Sequence, residues 1–121
     1  MIRASSAAAA DPKTIAEQYF ACMRAGDLGV LELFHEDAVI QGLGFRKQGR
    51  EQIADFYGAI IAGARPSPSP ASPLLCSDDR AVAEVQIELA NGTIVHALDV
   101  FVVRDGRIRS LTYFTADYPS G

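Results

Sequence analysis

Tryptophan is absent from the sequence, cysteine occurs only twice, and there is no long run of apolar residues. Cys22 and Cys76 have no further cysteine or histidine at the spacing of a metal site, which predicts two free thiols and no bound metal. No stretch approaches the roughly 18 apolar residues of a membrane span, and the first ten residues lack the apolar segment of a signal peptide. We therefore expect a cytoplasmic protein that contacts no membrane and holds no cofactor.

Basic residues are also in the minority. The 11 lysines and arginines face 15 aspartates and glutamates, and the net charge of -4 argues against a nucleic-acid partner, which requires a basic surface. A chain of 121 residues, 49% of them hydrophobic, is long enough for one core. We predict one domain over residues 11–121, preceded by a disordered or frayed segment over residues 1–10.

The first half of the chain has the periodicity of helices. Asp11 and Pro12 suit the cap and the first position of a helix, and apolar residues then recur at helical spacing until Gly26. This spacing directs Tyr19 towards the core. A second, shorter helix is expected directly after the glycine, and a third over about residues 50–62.

The rest of the chain predicts strands. A short strand is expected at residues 38–40. Prolines at alternate positions over residues 64–73 predict an extended connector that merges into an edge strand near residues 74–76, with a flexible linker as the alternative. The turn dipeptides Asn91-Gly92 and Asp105-Gly106 predict two hairpins, and hence three antiparallel strands.

Asp99 stands in the middle of the longest apolar strand. Burial of an unpaired carboxylate is costly, so Asp99 is either a functional acid or a structural acid bonded to a buried tyrosine. A two-residue first turn would place Glu84 opposite Asp99, whereas a three-residue loop over residues 90–92 places Ala83 there. The second register buries the apolar residues and exposes the acidic ones, so we predict it.

The second turn leaves two registers open. A three-residue turn places Leu111 opposite Asp99 and brings Tyr113 to the same sheet face. A two-residue turn places Thr112 opposite Asp99 instead. The position of Tyr113 in a pocket therefore depends on the length of this turn.

These elements predict an α+β fold in which three N-terminal helices pack on a curved antiparallel sheet. The helices can cover only one face of that sheet. The strand of Asp99 carries Leu98, Val100 and Val102 on the other face, and the sequence offers no fourth helix to cover them. We therefore predict a homodimer that forms through this outer sheet face.

Several short motifs follow one another along the chain. They are Gln18-Tyr19-Phe20, Ala25-Gly26-Asp27-Leu28, Leu33-Phe34-His35-Glu36-Asp37-Ala38, Ile53-Ala54-Asp55-Phe56-Tyr57, Leu98-Asp99-Val100-Phe101 and Arg104-Asp105-Gly106-Arg107-Ile108. In this order and spacing the chain resembles the nuclear transport factor 2-like superfamily, in its ketosteroid isomerase and SnoaL-like branch. The resemblance implies a cone-shaped fold that encloses an apolar pocket.

The resemblance also implies roles for particular residues. In ketosteroid isomerases a tyrosine of the first helix and a protonated aspartic acid of a late strand donate hydrogen bonds to the enolate oxygen of the substrate. Tyr19 and Asp99 match these two catalytic residues, and Tyr57 matches a tyrosine that supports the first one from behind. The general base of that family is an aspartate where this chain has Gly42. Limonene epoxide hydrolases match poorly, because their arginine is replaced by Ala97.

We predict a ketosteroid isomerase-like protein that binds a small apolar carbonyl compound, such as a steroid-like or polyketide-like molecule. A non-catalytic ligand-binding or dimerisation module is the second hypothesis, and a polyketide cyclase-like or dehydratase-like enzyme is the third. His35 and His96 are expected to take no part in the site. The residues expected to line the pocket are Phe20, Met23, Ile40, Phe56, Val85, Ile87, Ala97, Phe101, Leu111 and Tyr113.

Overall fold

The first helix begins and ends where its sequence predicts. In the structure, a computed structural model that describes residues 10–116, helix α1 spans Pro12–Ala25. The carboxylate of Asp11 accepts a hydrogen bond from the backbone N–H of Thr14 at 2.8 Å, which caps the helix. Gly26 ends it in the left-handed conformation, with φ of 66°.

The predicted second helix is a short 3-10 helix over Leu28–Leu33. Asp27 caps it by accepting a hydrogen bond from the backbone N–H of Gly29. The chain then enters strand β1 (Phe34–Gly42), which is longer than the predicted strand at residues 38–40. Helix α2 (Arg50–Ala62) follows only after strand β2 (Phe45–Gln48). The three predicted helical segments are present, but the described residues hold only two α-helices, because the second segment is a 3-10 helix, and a strand pair separates the third segment from the first two.

Seven strands form one curved sheet among the described residues. Its order is β2-β1-β7-β6-β5-β3, with β4 also paired to β5. The later strands are β3 (Ser67–Pro70), β4 (Leu75–Ser77), β5 (Arg80–Glu88), β6 (Ile94–Arg104) and β7 (Arg107–Thr115). Helix α1 lies against β3, β5 and β6, and helix α2 lies against β1 and β2.

The sheet is mixed, which corrects the prediction of an antiparallel one. Strand β1 pairs with β7 in parallel, with Ile40 beside Leu111. A tight hairpin forces neighbouring strands to run antiparallel, but β1 and β7 are separated in the chain by helix α2 and five other strands, which permits either direction.

The proline-rich stretch pairs directly with the sheet. Strand β3 runs antiparallel to β5, with Pro68 opposite Ile87 and Pro70 opposite Val85. The edge strand therefore begins earlier than predicted, and the flexible-linker alternative is wrong for these residues. Prolines at alternate positions remove N–H groups from one side only, so the other side remains able to pair.

The first hairpin has the predicted register. Ala83 lies opposite Asp99 and Val85 lies opposite Ala97. The backbone N–H of Leu89 donates to the carbonyl of Thr93 across the three-residue loop. Gly92 in this loop has φ of 88°, a conformation that favours glycine.

The second hairpin has neither of the predicted registers. Asp105 and Gly106 form a two-residue turn, but the pairing shifts by one residue after Ile108, so that Arg109 is an extra, bulged residue of β7. As a result Tyr113 lies opposite Asp99. A local turn pattern does not reveal such a bulge, and both predicted β7 partners of Asp99, Leu111 and Thr112, are wrong for this reason.

One core lies between the helices and one face of the sheet. Ala10 packs against it, whereas the other residues of the predicted N-terminal frayed segment lie outside the described residues. Neither α-helix of residues 10–116 is long and apolar enough to cross a membrane. The cytoplasmic location stays a prediction. The largest fully buried apolar side chains are Tyr57, Phe20, Phe34, Phe101, Ile40, Ile53, Ile108, Leu111, Val30 and Val85.

Candidate functional site

Three tyrosines from three different elements meet inside the fold. Tyr19 comes from α1, Tyr57 from α2 and Tyr113 from β7. Their hydroxyl oxygens are mutually hydrogen-bonded, at 2.9 Å for Tyr19 and Tyr57, 2.5 Å for Tyr19 and Tyr113, and 2.7 Å for Tyr57 and Tyr113. We call these three residues the tyrosine cluster.

Asp99 lies beside the cluster in an apolar setting. Its side chain is 1% exposed, and its Oδ1 atom is buried without a hydrogen-bond partner among residues 10–116. Its cross-strand neighbours are Ala83 on one side and Tyr113 on the other. Burial raises the pKa of Asp99 from 3.8 to about 7, because desolvation disfavours the charged form.

The tyrosine hydroxyls remain neutral at ordinary pH. Burial raises the pKa of Tyr19 and of Tyr113 well above the usual value, and the proximity of the other tyrosines and of Asp99 adds to the shift. Burial likewise raises the pKa of Tyr57. Each hydroxyl therefore keeps its proton and can donate one hydrogen bond.

The hydrogen bonds within the cluster use the protons of its own hydroxyls. Three hydroxyls carry three protons, and the cluster contains three hydrogen bonds, so a closed ring uses every proton. No tyrosine proton is left for Asp99. A protonated Asp99, in contrast, has a proton of its own to donate.

A cavity of about 280 Å³ opens next to the cluster. Its walls are almost entirely apolar. Within the described residues Tyr113 is the one member of the tyrosine cluster that lines it, and Tyr19 and Asp99 lie deeper in the protein. The residues that line it are Gly42, Leu43, Phe45, Phe56, Ile60, Ala64, Pro66, Ile87, Leu89, Val95, Ala97, Tyr113 and Thr115.

The ten residues predicted to line the pocket fall into two groups. Phe56, Ile87, Ala97 and Tyr113 lie on the cavity wall. The other six belong to the packed core beneath the cavity and do not reach its surface, because aromatic rings fill the interior around Tyr19. These six are Phe20, Met23, Ile40, Val85, Phe101 and Leu111.

Phe45 occupies the space beside the position of the missing base. A Cβ atom added to Gly42 would lie 2.6 Å from Cε1 of Phe45, closer than real Cβ contacts allow. The Phe45 ring stacks on Phe56 with a centroid distance of 5.1 Å and an interplanar angle of 16°. The neighbouring Gln41 donates from Nε2 to Oγ1 of Thr112 at 3.4 Å. The wall at Gly42 is therefore aromatic and carries no carboxylate.

Several wall residues were not predicted. Leu89 and Val95 continue the inward alternation of Ile87 and Ala97, so the strand pattern contained a signal for them. Phe45 gave no such signal, because its position depends on how β2 packs against α2.

The other candidate side chains lie away from this cavity. Nε2 of His35 is 2.7 Å from the carbonyl oxygen of Arg104 at the surface. His96 is opposite Gln86, on the sheet face that Asp99 does not use. Cys22 and Cys76 are free thiols, and no group of three His, Cys, Asp or Glu side chains among residues 10–116 could hold a metal ion.

The chain matches a known domain family. A family model described as the SnoaL-like domain matches residues 16–111. No protein of curated function shows significant similarity to the chain.

Solved structures share the fold. A proposed polyketide cyclase from Sinorhizobium meliloti is 26% identical with a TM-score of 0.75, over 83% of this chain and 93% of that one. A proposed ketosteroid isomerase from Kribbella flavida is 18% identical with a TM-score of 0.78, over 91% of this chain and 81% of that one. A computationally designed 17-OHP binder is 23% identical with a TM-score of 0.75, over 86% of this chain and 93% of that one. The chain thus has the nuclear transport factor 2-like α+β fold.

Proposed function

The chain belongs to the SnoaL-like domain family, and from this premise we propose that it binds a small apolar carbonyl compound in the cavity beside the tyrosine cluster. Tyr19 and Asp99 donate hydrogen bonds to the oxygen of this compound and stabilise negative charge that develops on it. The single observation that carries the proposal is an apolar cavity with a buried group of hydrogen-bond donors at its inner end.

The surroundings of these donors suit an enolate-like oxygen. Donors that are held in place inside a water-poor site stabilise developing charge more strongly than donors in water do. The neutral form of Asp99, which its pKa of about 7 favours below that pH, has an O–H to donate. An incoming oxygen would provide the acceptor that the buried carboxyl group lacks among the described residues.

The proposed reaction class is that of an isomerase, cyclase or lyase acting next to a carbonyl group. The likeness to the proposed polyketide cyclase and to the 17-OHP binder supports a polyketide-like or steroid-like ligand. The usual base is absent at Gly42, so we expect little or no isomerisation of a 3-oxo-Δ5-steroid. A cyclase-like or dehydratase-like reaction is a further candidate, which the 26% identity to the polyketide cyclase favours.

A non-catalytic binding protein is the second candidate function. The observation that favours it is Phe45, whose ring occupies the space that a Cβ atom at position 42 would need. In this case the cavity and its donors would hold the ligand without removing a proton from it.

A homodimer through the outer sheet face remains part of the proposal. Leu98 and Phe114 lie directly opposite each other on β6 and β7, and they are 40% and 57% exposed. Apolar residues paired in the middle of a sheet are suited to contact a second copy.

Calorimetry with two matched compounds tests the binding proposal. 4-Nitrophenol carries an oxygen that can accept hydrogen bonds from the site, and nitrobenzene has the same ring without that oxygen. We expect the protein to bind 4-nitrophenol about tenfold more tightly, which corresponds to one good hydrogen bond to a preorganised donor. Equal affinities would contradict recognition of the oxygen. Turnover of enone or 1,3-dicarbonyl compounds then separates an enzyme from a binding protein.

A further inference from the structure

The hydroxyl of Tyr113 lies where a ligand would have to place its oxygen. It is hydrogen-bonded to Tyr19 at 2.5 Å and to Tyr57 at 2.7 Å, while the side chain of Tyr113 forms part of the cavity wall. A ligand in the cavity therefore meets Tyr113 before it can reach Tyr19. The protein supplies its own phenol to the donors at the inner end of the cavity.

Asp99 is closed off by the same side chain. Tyr113 is its direct cross-strand neighbour, and paired residues of antiparallel strands project to the same sheet face. Asp99 is almost fully buried, and its Oδ1 atom has no partner among residues 10–116. Tyr113 thus separates both Tyr19 and Asp99 from the cavity. Its hydroxyl is hydrogen-bonded to the other two tyrosines of the cluster.

We propose that Tyr113 is a specificity-determining gate, whose hydroxyl must leave Tyr19 before the oxygen of a ligand can take its place. This inference rests on the function proposed above, and it adds that the Tyr113 hydroxyl competes with the oxygen of the ligand for Tyr19. The free energy needed to displace the Tyr113 hydroxyl is the same for every ligand. Only a compound whose oxygen is a strong hydrogen-bond acceptor offsets it. Compounds that merely fill the apolar part of the cavity leave Tyr113 in position.

The position of Tyr113 in the fold is consistent with movement. It lies near the end of β7, two residues before the strand ends at Thr115, and its ring is part of the cavity wall. The hydroxyls of Tyr19 and Tyr57 are hydrogen-bonded to each other at 2.9 Å, and both residues are buried on helices α1 and α2. When the Tyr113 hydroxyl leaves, the hydroxyls of Tyr19 and Tyr57 therefore still face each other and can donate to a ligand.

The substitution Tyr113→Phe tests the gate, because it removes the competing hydroxyl and keeps the ring. In the full chain we expect 4-nitrophenol to bind about tenfold more tightly to this variant than to wild type, since two hydrogen bonds no longer oppose entry. Nitrobenzene should bind both proteins equally. Thr112→Val is the matched control: it removes a hydroxyl from the adjacent residue on the opposite sheet face and should change neither affinity.

The possible outcomes separate the gate from the proposed function. Unchanged 4-nitrophenol binding in the Tyr113→Phe variant would overturn the gate, and weaker binding would show that Tyr113 is itself the donor to the ligand. If neither protein prefers 4-nitrophenol to nitrobenzene, the proposed function fails and the gate fails with it.

A measurement on wild type covers the case in which the variant does not fold. Proton NMR follows the hydroxyl resonances of the tyrosine cluster, which short hydrogen bonds move downfield. We expect 4-nitrophenol at saturation to change the Tyr113 hydroxyl resonance and nitrobenzene to leave it in place. No change with bound 4-nitrophenol would overturn the gate.

Discussion

Tyr113 lies directly opposite Asp99 on the paired strands β6 and β7, and its hydroxyl is hydrogen-bonded to those of Tyr19 and Tyr57. This pairing results from the bulge at Arg109, which shifts the register of β7 by one residue after the turn. It places a phenol next to a buried carboxyl group at the inner end of an apolar cavity. The chemistry proposed for this protein depends on these two neighbours.

Asp99 should make the stability of the fold depend on pH. Its pKa is about 7 in the folded protein and near 3.8 when unfolded, so the unfolded state loses its proton first as the pH rises. The contribution of Asp99 to stability is complete below about pH 4 and is lost as the pH passes through 7. The loss is on the order of 4 kcal/mol, from about three pKa units at 1.36 kcal/mol each.

Urea unfolding of wild type and of Asp99→Asn across this pH range measures the effect. The asparagine cannot ionise, so the difference in unfolding free energy should shift in favour of the variant as the pH rises from 4 to 8. Asp55→Asn, which removes a carboxylate from an exposed position of α2, is the control substitution. If the unfolding free energies of wild type and Asp99→Asn differ by the same amount at every pH, Asp99 does not keep its proton on folding.

The missing base should be restorable only if Phe45 is removed as well. Gly42→Asp alone forces a Cβ atom to within 2.6 Å of the Phe45 ring, and we expect overpacking of this kind to cost about 1–3 kcal/mol of stability. In the double variant Gly42→Asp with Phe45→Ala, the carboxylate has room. A positioned base contributes about 100-fold or more to the rate.

We therefore expect the double variant to isomerise a 3-oxo-Δ5-steroid at least about 100-fold faster than wild type. The spectrophotometric rate of conjugated-enone formation measures it. Gly42→Asn with Phe45→Ala is the matched control, because asparagine has the same shape and accepts no proton from carbon. Equal rates for the two double variants would rule out aspartate as the base at this position.

Charged residues on the outer sheet face should separate the predicted dimer. Leu98→Glu combined with Phe114→Glu removes two apolar contacts per copy and brings like charges together across a two-fold axis. We expect light scattering after size exclusion to show at least a tenfold weaker association than for wild type. Leu75→Glu, on the short strand β4 and 71% exposed, should have no effect. A monomeric wild type would contradict the dimer.

The elements that the sequence predicted well are those determined by neighbouring residues. Asp11, Pro12 and Gly26 set the limits of α1 through capping and backbone conformation alone. The loop over residues 90–92 fixed the first hairpin, because only one register buries the apolar side chains of β5. The inward position of Asp99 followed from that register.

Features that depend on packing between distant segments were not predictable in this way. The parallel pairing of β1 with β7 joins strands far apart in the chain, and the bulge at Arg109 has no signature in the turn before it. The contact between Phe45 and Gly42 depends on the stacking of Phe45 on α2. Tyr19, Tyr57 and Asp99 were therefore found as candidates and Tyr113 was expected on the pocket wall, whereas the pairing of Tyr113 with Asp99 was not predicted.

The affinity of 4-nitrophenol for wild type, Tyr19→Phe and Asp99→Leu, measured by calorimetry about one unit below the Asp99 pKa of about 7, tests the central claim most directly. Under these conditions Asp99 is mostly protonated and can donate. If Tyr19 and Asp99 both bind the oxygen of the ligand, each substitution should weaken 4-nitrophenol binding by about tenfold and leave nitrobenzene binding unchanged. Equal affinity of all three proteins for 4-nitrophenol would contradict the account.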